Sequence, residues 1–336
     1  MKDKIYHPKP LVLTEGYFSS QIYDNYDMLA QKGPKNWKHG CPFQLASVGL
    51  SGQTQILQLC SMQITYSTRR GAAMYNVASA KDSLSIVVIT MSKGQACFDR
   101  VKFKGGDIIF FDDSHPHNWI ANDVVEYVII TIQKSALPAE LSNFSKLIGH
   151  TILDTDARLP TTLHKIKESI TNDPTKKSMK YYQEAENEIL AVLLGLLSEQ
   201  TPAIPRLTAG EKTALEIRDQ LFGHMDGNMS ISSLAKEHNV SEQTLQNSFK
   251  SLFGYTPKRF FRLLKLNLVH QELMESNPKQ TTVSKIARKW GFTHMGHFNT
   301  YYTELFGENP SKTFKTSCCQ EDSTLESCVG RQEEMS

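Results

Sequence analysis

The chain has 336 residues, 40% of them apolar and 21% charged, the balance of a globular protein with about two cores, since single cores seldom grow past about 250 residues. That composition excludes collagen-like, wholly disordered and mini-domain classes. The net charge of +2 hides a division: Pro205 to Lys315 carries 15 Lys+Arg against 10 Asp+Glu, or +5, whereas Ser317 to Ser336 carries 1 against 5, or −4.

The N-terminus, MKDKIYHPKP, is basic but has no apolar run behind it, so no secretory signal is expected. No window approaches the roughly 18 to 20 apolar residues of a bilayer span. Cys41, Cys60, Cys97, Cys318, Cys319 and Cys328 are scattered, without the pairing of a zinc site or the density of a disulfide scaffold. Reduced thiols, a cytoplasmic address and no membrane contact are the expectation.

From about Gln44 to Ile132 the chain reads as short strands, QTQILQLCSMQITYS, SLSIVVITM, ACFDRVKF, DIIFF and VVEYVIITI, separated by Gly, Ser, Asp and Lys. Regularly spaced strands predict a sandwich or small barrel. Within GGDIIFFDDSHPHNW, His115 and His117 flank Pro116 near Asp112, Asp113 and Glu126, a pattern that can bind a metal if further ligands complete it. With the set incomplete, no metal and no cofactor are expected; His117 and Trp119 are candidates for an effector pocket. Trp37, Trp119 and Tyr127 are either pocket lining or core. The pair Arg69-Arg70 is either a clamp for an anionic effector or a solvated surface pair.

After Pro138 the period becomes helical. Ala185, Ile189, Val192 and Leu196 stand at 4, 3, 4 intervals between Tyr181 and Glu199, an apolar stripe that could meet a second copy of the chain or the β domain's own core. TPAIPRLTAG, residues 201–210, reads as a linker. The last twenty residues, acidic and poor in aliphatics, read as a disordered tail.

A repeat follows the linker. ISSLAKEHNVSEQTLQNSFKSLFGYTP matches TVSKIARKWGFTHMGHFNTYYTELFGENP, pairing Ala235 with Ala287, Asn239 with Gly291 and Ser241 with Thr293. With one extra residue in the second copy, Leu245, Phe249, Phe253-Gly254 and Pro257 then pair with Phe298, Tyr302, Phe306-Gly307 and Pro310. A small Ala lets two helices cross closely, and four residues on the chain must turn sharply through a left-handed residue. Ser241 and Thr293 fall where N-caps belong. The pattern predicts two helix-turn-helix units with Ala235, Asn239, Leu245, Phe249, Ile286, Ala287, Gly291, Phe292, Phe298 and Tyr302 as their framework. Recognition helices are expected over Glu242 to Leu252 and His294 to Leu305. Gln243, Gln246, Asn247, Met295, Gly296, Asn299 and Thr300 lie opposite the apolar face and are the candidate base readers. Lys250, Lys258, Arg259, Arg288 and Lys289, at helix ends or flanks, are the candidate phosphate contacts.

These residues resemble the double helix-turn-helix domain of the AraC/XylS transcriptional regulators over about 110 residues, and TTVSKIARKWGFTHMGHF is most similar to the branch with ethanolamine-operon regulators. The family's usual recognition-helix Arg is replaced by Asn247 and Thr300. The resemblance implies a multidomain protein: a mainly-β, cupin-like sensor or dimerisation domain (1–175), an amphipathic helix as possible dimer contact (176–200), a linker (201–210), an all-α DNA-binding domain (207–316) and a tail (317–336). Gly106-Asp107 and His117 resemble the second cupin motif, but the first motif's histidine pair is absent upstream. The resemblance implies a transcription regulator, not an enzyme, with double-stranded DNA as partner and RNA polymerase, a small effector and a second copy as possible ones. The rival readings are a cupin-type metal enzyme with an unrelated helical domain and a protein-binding helical repeat.

Overall fold

A computed structural model describes residues 10–24, 43–47, 49–77, 79–99, 101–115, 117–203, 207–223 and 230–315. Trp37, Cys41, the cysteines beyond residue 316 and the expected tail lie outside the described residues; Cys60 and Cys97 are reduced thiols. The β-branched runs form strands β1 (Phe18–Tyr23), β2 (Phe43–Gln44), β3 (Ser51–Gln58), β4 (Met62–Arg70), β5 (Ala73–Val77) and β6 (Ser83–Ser92). There follow β7 (Ala96–Phe98), β8 (Val101–Lys102), β9 (Asp107–Asp112), β10 (His117–Ala121), β11 (Val125–Gln133) and β12 (Thr151–Leu153). The helices are α1 (Arg158–Asn172), α2 (Met179–Glu199), α3 (Ala209–Gly223), α4 (Ile231–Glu237), α5 (Glu242–Phe253), α6 (Pro257–Glu275), α7 (Val283–Lys289) and α8 (Met295–Phe306).

The chain divides into two units. The first comprises Met1–Pro42, Gly49–Ala209 and Ser251–Gly254, and the second Phe43–Val48, Gly210–Lys250 and Tyr255–Ser336.

In the first unit an antiparallel sheet runs β1-β3-β4-β11-β6-β9-β12, and a smaller one runs β5-β10-β7-β8. Because successive side chains alternate, strands β6, β9 and β11 of the larger sheet each feed two cores. Ile64, Ile86, Val88 and Ile130 face outward into a core shared with the helices. Val87, Ile89, Tyr127 and Ile129 face inward, with Tyr75, Phe98 and Trp119 of the smaller sheet. Slipping one residue would exchange the two sets, so the register Val128↔Tyr66 and Val128↔Val88 is set by burial on both faces.

Helices α1 and α2 cover the outward face with Leu159, Leu163, Ile166 and Ile170, and with Tyr182, Ala185, Ile189, Leu193 and Leu196. The stripe that could have met a second copy is thus spent on the chain's own core: Ile189 is 0% and Leu196 1% exposed, which corrects the reading of residues 176–200 as a dimer contact through that stripe. On the same helix, buried Glu186 accepts from the backbone N–H groups of Ser61 (2.6 Å) and Met62 (3.0 Å) and from Ser61 Oγ (2.9 Å). A buried carboxylate with three donors is stabilising where an unpaired one would not be, and it pins α2 to the β3–β4 turn.

In the second unit Leu234, Leu245, Phe249, Phe260, Leu264, Ile286, Phe298 and Tyr302 are buried. Among the described residues no helix is long and apolar enough to cross a membrane.

Candidate nucleic-acid interface

The two repeats fold through matching local chemistry. Ser230 and Thr282 cap α4 and α7, accepting from Ser233 N–H at 3.0 Å and Lys285 N–H at 3.3 Å. Each short helix is left by a left-handed residue, Asn239 at φ 53° and Gly291 at φ 86°. The hydrogen bonds around the two turns correspond: Asn239 N to Lys236 O (3.1 Å) and Val240 N to Ala235 O (2.9 Å), Gly291 N to Arg288 O (3.0 Å) and Phe292 N to Ala287 O (3.0 Å). Ala235 and Ala287 are buried at the crossing, where a larger side chain would push the helices apart.

The second helices differ at their starts. Ser241 Oγ accepts from Thr244 N–H at 3.0 Å and caps α5. Thr293 does not do the same for α8, whose N-cap is His294, with no side-chain capping bond. The extra residue of the second copy lies at this junction and shifts the helix start beyond the reach of the Thr293 hydroxyl. Leu245 and Phe249 of α5, and Phe298 and Tyr302 of α8, are fully buried; Phe292 packs at a tilt against Phe298 with ring centroids 5.1 Å apart. Tyr302 also takes part in a relay: His270 Nδ1 lies 2.7 Å from its hydroxyl, which donates to Thr313 Oγ1 at 3.0 Å, which donates to Glu308 at 2.6 Å. Nothing in the repeat alignment points to His270 or Thr313.

The outward faces carry the candidate base readers. Gln243, Asn247, Gly296, Asn299 and Thr300 are exposed, and Gln246 and Met295 are half-buried. Gln243 Nε2 donates to Asn247 Oδ1 at 2.9 Å, one helical turn away, so the two amides are held side by side before any ligand arrives. Lys250, Lys258, Arg259, Arg288 and Lys289 are exposed. Arg259 stands over the Tyr255 ring at 5.1 Å. Lys289 is engaged by Glu272, with Nζ 2.8 and 2.9 Å from its carboxylate oxygens.

In the first unit His117 is 1% and Trp119 4% exposed, both in the packed interior. His117 Nδ1 lies 2.5 Å from Asp99 Oδ2 and Nε2 lies 3.1 Å from the Asp112 carbonyl. Asp99, His115 and His117 have ligand atoms within 4.8 Å of one another. Around tetrahedral zinc, with bonds of about 2.0–2.2 Å, neighbouring ligand atoms stand about 3.3 Å apart. The His117–Asp99 contact is shorter than that and His115 Nε2 is 4.0 Å from the same oxygen, so the trio stands as a hydrogen-bonded pair with an outlying imidazole. A groove of about 300 Å³ lies elsewhere, where α1 meets the larger sheet, lined by Gln55, Tyr66, Glu126, Pro160, His164 and Lys167 among others.

Residues 234–316 match a family model described as a helix-turn-helix domain. The "Probable thc operon regulatory protein" of Rhodococcus erythropolis is 30% identical over 120 residues, 36% of this chain and 34% of that protein. The "XylDLEGF operon transcriptional activator" of Pseudomonas putida is 34% identical over 139 residues, 41% of this chain and 43% of that protein. The chain thus spans less than half the length of either relative. The "HTH-type transcriptional activator RhaS" of Enterobacter sp. (strain 638) is 20% identical over 239 residues, 68% of this chain and 84% of that protein. Among solved structures, the AraC-like transcriptional activator CuxR covers 81% of this chain and 100% of its own at 12% identity, with a TM-score of 0.42, too low to carry argument.

Proposed function

Because the C-terminal part of the chain is an AraC-type helix-turn-helix domain, we propose that the protein is a sequence-specific DNA-binding transcription regulator whose two recognition helices, α5 and α8, enter successive major-groove segments. The observation that carries this is the equivalence of the two turns, hydrogen bond for hydrogen bond, with two polar faces left outward. Helix α6 joins the copies; its 19 residues give a rod of about 28 Å at 1.5 Å per residue, comparable to the roughly 34–36 Å between successive turns of the groove.

In this reading Gln243, Gln246, Asn247, Met295, Gly296, Asn299 and Thr300 read base edges, the amides being suited to bidentate contact with adenine. Lys250, Lys258, Arg259, Arg288 and Lys289 contact phosphates, adding affinity without sequence information. The β unit senses a small effector, RNA polymerase is the partner of an activating member, and the site of work is the cytoplasm. The activator names of two relatives support the polymerase contact. A second copy of the chain remains a partner only through surfaces other than the buried stripe of α2.

The test is to map bound fragments genome-wide, derive the operator, and compare wild type with Gln246→Ala on operators varied one base pair at a time. The variant should lose about 1 to 3 kcal/mol at one position and leave non-specific binding unchanged. Uniform loss over all sequences would remove Gln246 from the readers; absence of any preferred sequence would remove the function.

A further inference from the structure

The larger sheet has two edge strands, β12 and β1, and an open edge is a row of unpaired N–H and C=O groups that another strand can join. At β12 the row is taken. Thr151 exchanges both backbone hydrogen bonds with Ala203, each at 2.8 Å, and the Gln200 side chain accepts from the Leu153 N–H at 2.9 Å and donates to its carbonyl at 2.8 Å.

At β1 the row is open. The Gln58 N–H donates to the Tyr17 carbonyl, and β1 runs antiparallel to β3 with Phe18 opposite Leu57. Alternation in such a ladder turns the backbone groups of Ser19, Gln21 and Tyr23 toward β3 and those of Phe18, Ser20 and Ile22 away from it. Among the described residues no backbone group meets these three from the far side. Their side chains are exposed as well, Phe18 at 38% and Ile22 at 68%. Together with Val12 and Tyr17 they account for four of the six large apolar side chains exposed among the described residues, so the apolar surface is gathered on one stretch of chain, as at interaction sites. Open edges are commonly guarded by Lys, Pro or a bulge. The β1 sequence FSSQIY has no charged residue and no Pro, and its pairing with β3 runs without a register shift.

We propose that β1 is a homodimer surface, pairing antiparallel with β1 of a second copy of this chain about a two-fold axis through Ser20. In that register Ser20 stands opposite its own counterpart and Phe18 opposite Ile22 in both directions. The outward N–H and C=O groups of the two strands then meet, and an aromatic side chain faces a β-branched one, a favourable cross-strand pair. Two observations select a second copy as the occupant. An uncharged strand meets no like charge in its own copy, and because β12 is closed, two-fold pairing consumes the open edge of both sheets and stops at two. The inference goes beyond the DNA-binding reading, which does not fix the number of copies, and gives the second copy a surface other than the buried stripe of α2.

Sedimentation of the full-length protein through the micromolar range should show a monomer–dimer equilibrium. Ser20→Pro removes an N–H that points away from β3, a change an edge strand accommodates, and Ile22→Lys installs the charge that guards such edges. Each should raise the dimer dissociation constant by about tenfold or more while the far-UV circular dichroism spectrum stays that of the wild type. Ser20→Ala, which keeps the N–H, should leave the constant within about threefold. Ser20→Cys reads the register: hydrogen-bonded partners stand about 5.5 Å apart at Cα, within disulfide reach, so oxidation should link this variant into a covalent dimer. Ile22→Cys, about 13 Å from its counterpart at 3.4 Å per residue, should link no more than the wild type. A monomeric wild type, an undiminished dimer in both Ser20→Pro and Ile22→Lys, equal loss in Ser20→Ala and Ser20→Pro, or equal linking of the two cysteine variants overturns the proposal, so it can fail even if one variant does not fold.

Discussion

Asn239 shows how a single backbone angle enters function. At φ 53° a side chain with a Cβ pays for the left-handed region, less for Asn than for most residues. Asn239→Gly should therefore hold stability within about 0.5 kcal/mol, whereas Asn239→Val should cost about 1 to 2 kcal/mol; urea unfolding of the pair checks this, and equal tolerance of both would mean the turn relaxes. Asp112 gives a pH-dependent counterpart in the β unit. Burial opposes its ionisation, but hydrogen bonds from Ser114 and the charge of Lys134, 3.5 Å away, prevail and hold its carboxyl below the usual value. A depressed carboxyl contributes stability that is full above the unfolded value and is lost as pH falls through the folded one. Lys134→Met should raise the folded value and so start acid unfolding at a higher pH, as a far-UV circular dichroism titration would record; an unmoved acid limb would assign the shift to Ser114 alone.

The elements differ in how far they could be read from residues alone. Both helix-turn-helix units were legible, because their signals are local: a small residue, a turn residue four positions on, and an apolar series at i, i+4, i+8. The start of α8 was not, since one inserted residue moved the cap from Thr293 to His294. The stripe on α2 was visible as a stripe, but its partner was not, because the core residues it joins, such as Ile64 of β4 and Ile130 of β11, are distant in the chain. For that reason Ile189→Ala should behave as a core truncation, lowering the free energy of unfolding by about 2 to 5 kcal/mol and leaving the molecular mass in solution unchanged. Helix α3 presses on recognition helix α5 at Gly210, where an added Cβ would come within 2.6 Å of Ser248 Oγ and 2.9 Å of Thr244 Cγ2. Gly210→Ala should cost about 1 to 3 kcal/mol and weaken DNA binding by tilting α5. A variant with wild-type stability would show that Ser248 turns aside without cost.

At the scale of the whole molecule the charge division in the sequence pointed to a polyanion, and the basic side chains stand on the exposed helix ends. They are not equivalent. Lys289 must leave Glu272 to reach a phosphate, so Lys289→Ala should reduce the slope of log affinity against log salt by less than Lys250→Ala, for which a loss of close to 0.9 per contact is expected. Equal reductions would mean that the Glu272 pair opens freely. Arg69 of β4, 6% exposed, was legible only as half of an exposed-looking Arg-Arg pair, because which of two adjacent residues faces inward depends on register, and register is a long-range property.

The second unit is not a continuous stretch of chain. It includes Phe43–Val48, whose Gln44 N–H donates to Asn267 Oδ1 at 2.7 Å, whose carbonyl accepts from Asn267 Nδ2 at 2.8 Å and whose Nε2 donates to the Leu305 carbonyl at 2.7 Å. Asn267 is 4% exposed. Any fragment cut at the interdomain linker would therefore carry a buried amide stripped of both Gln44 contacts and left with its bond to the Leu263 carbonyl, a wound on the buried side of α6. A six-residue peptide of that segment, supplied in trans, becomes a reagent: a graft that should restore the fragment's melting behaviour if the wound is what the cut leaves behind.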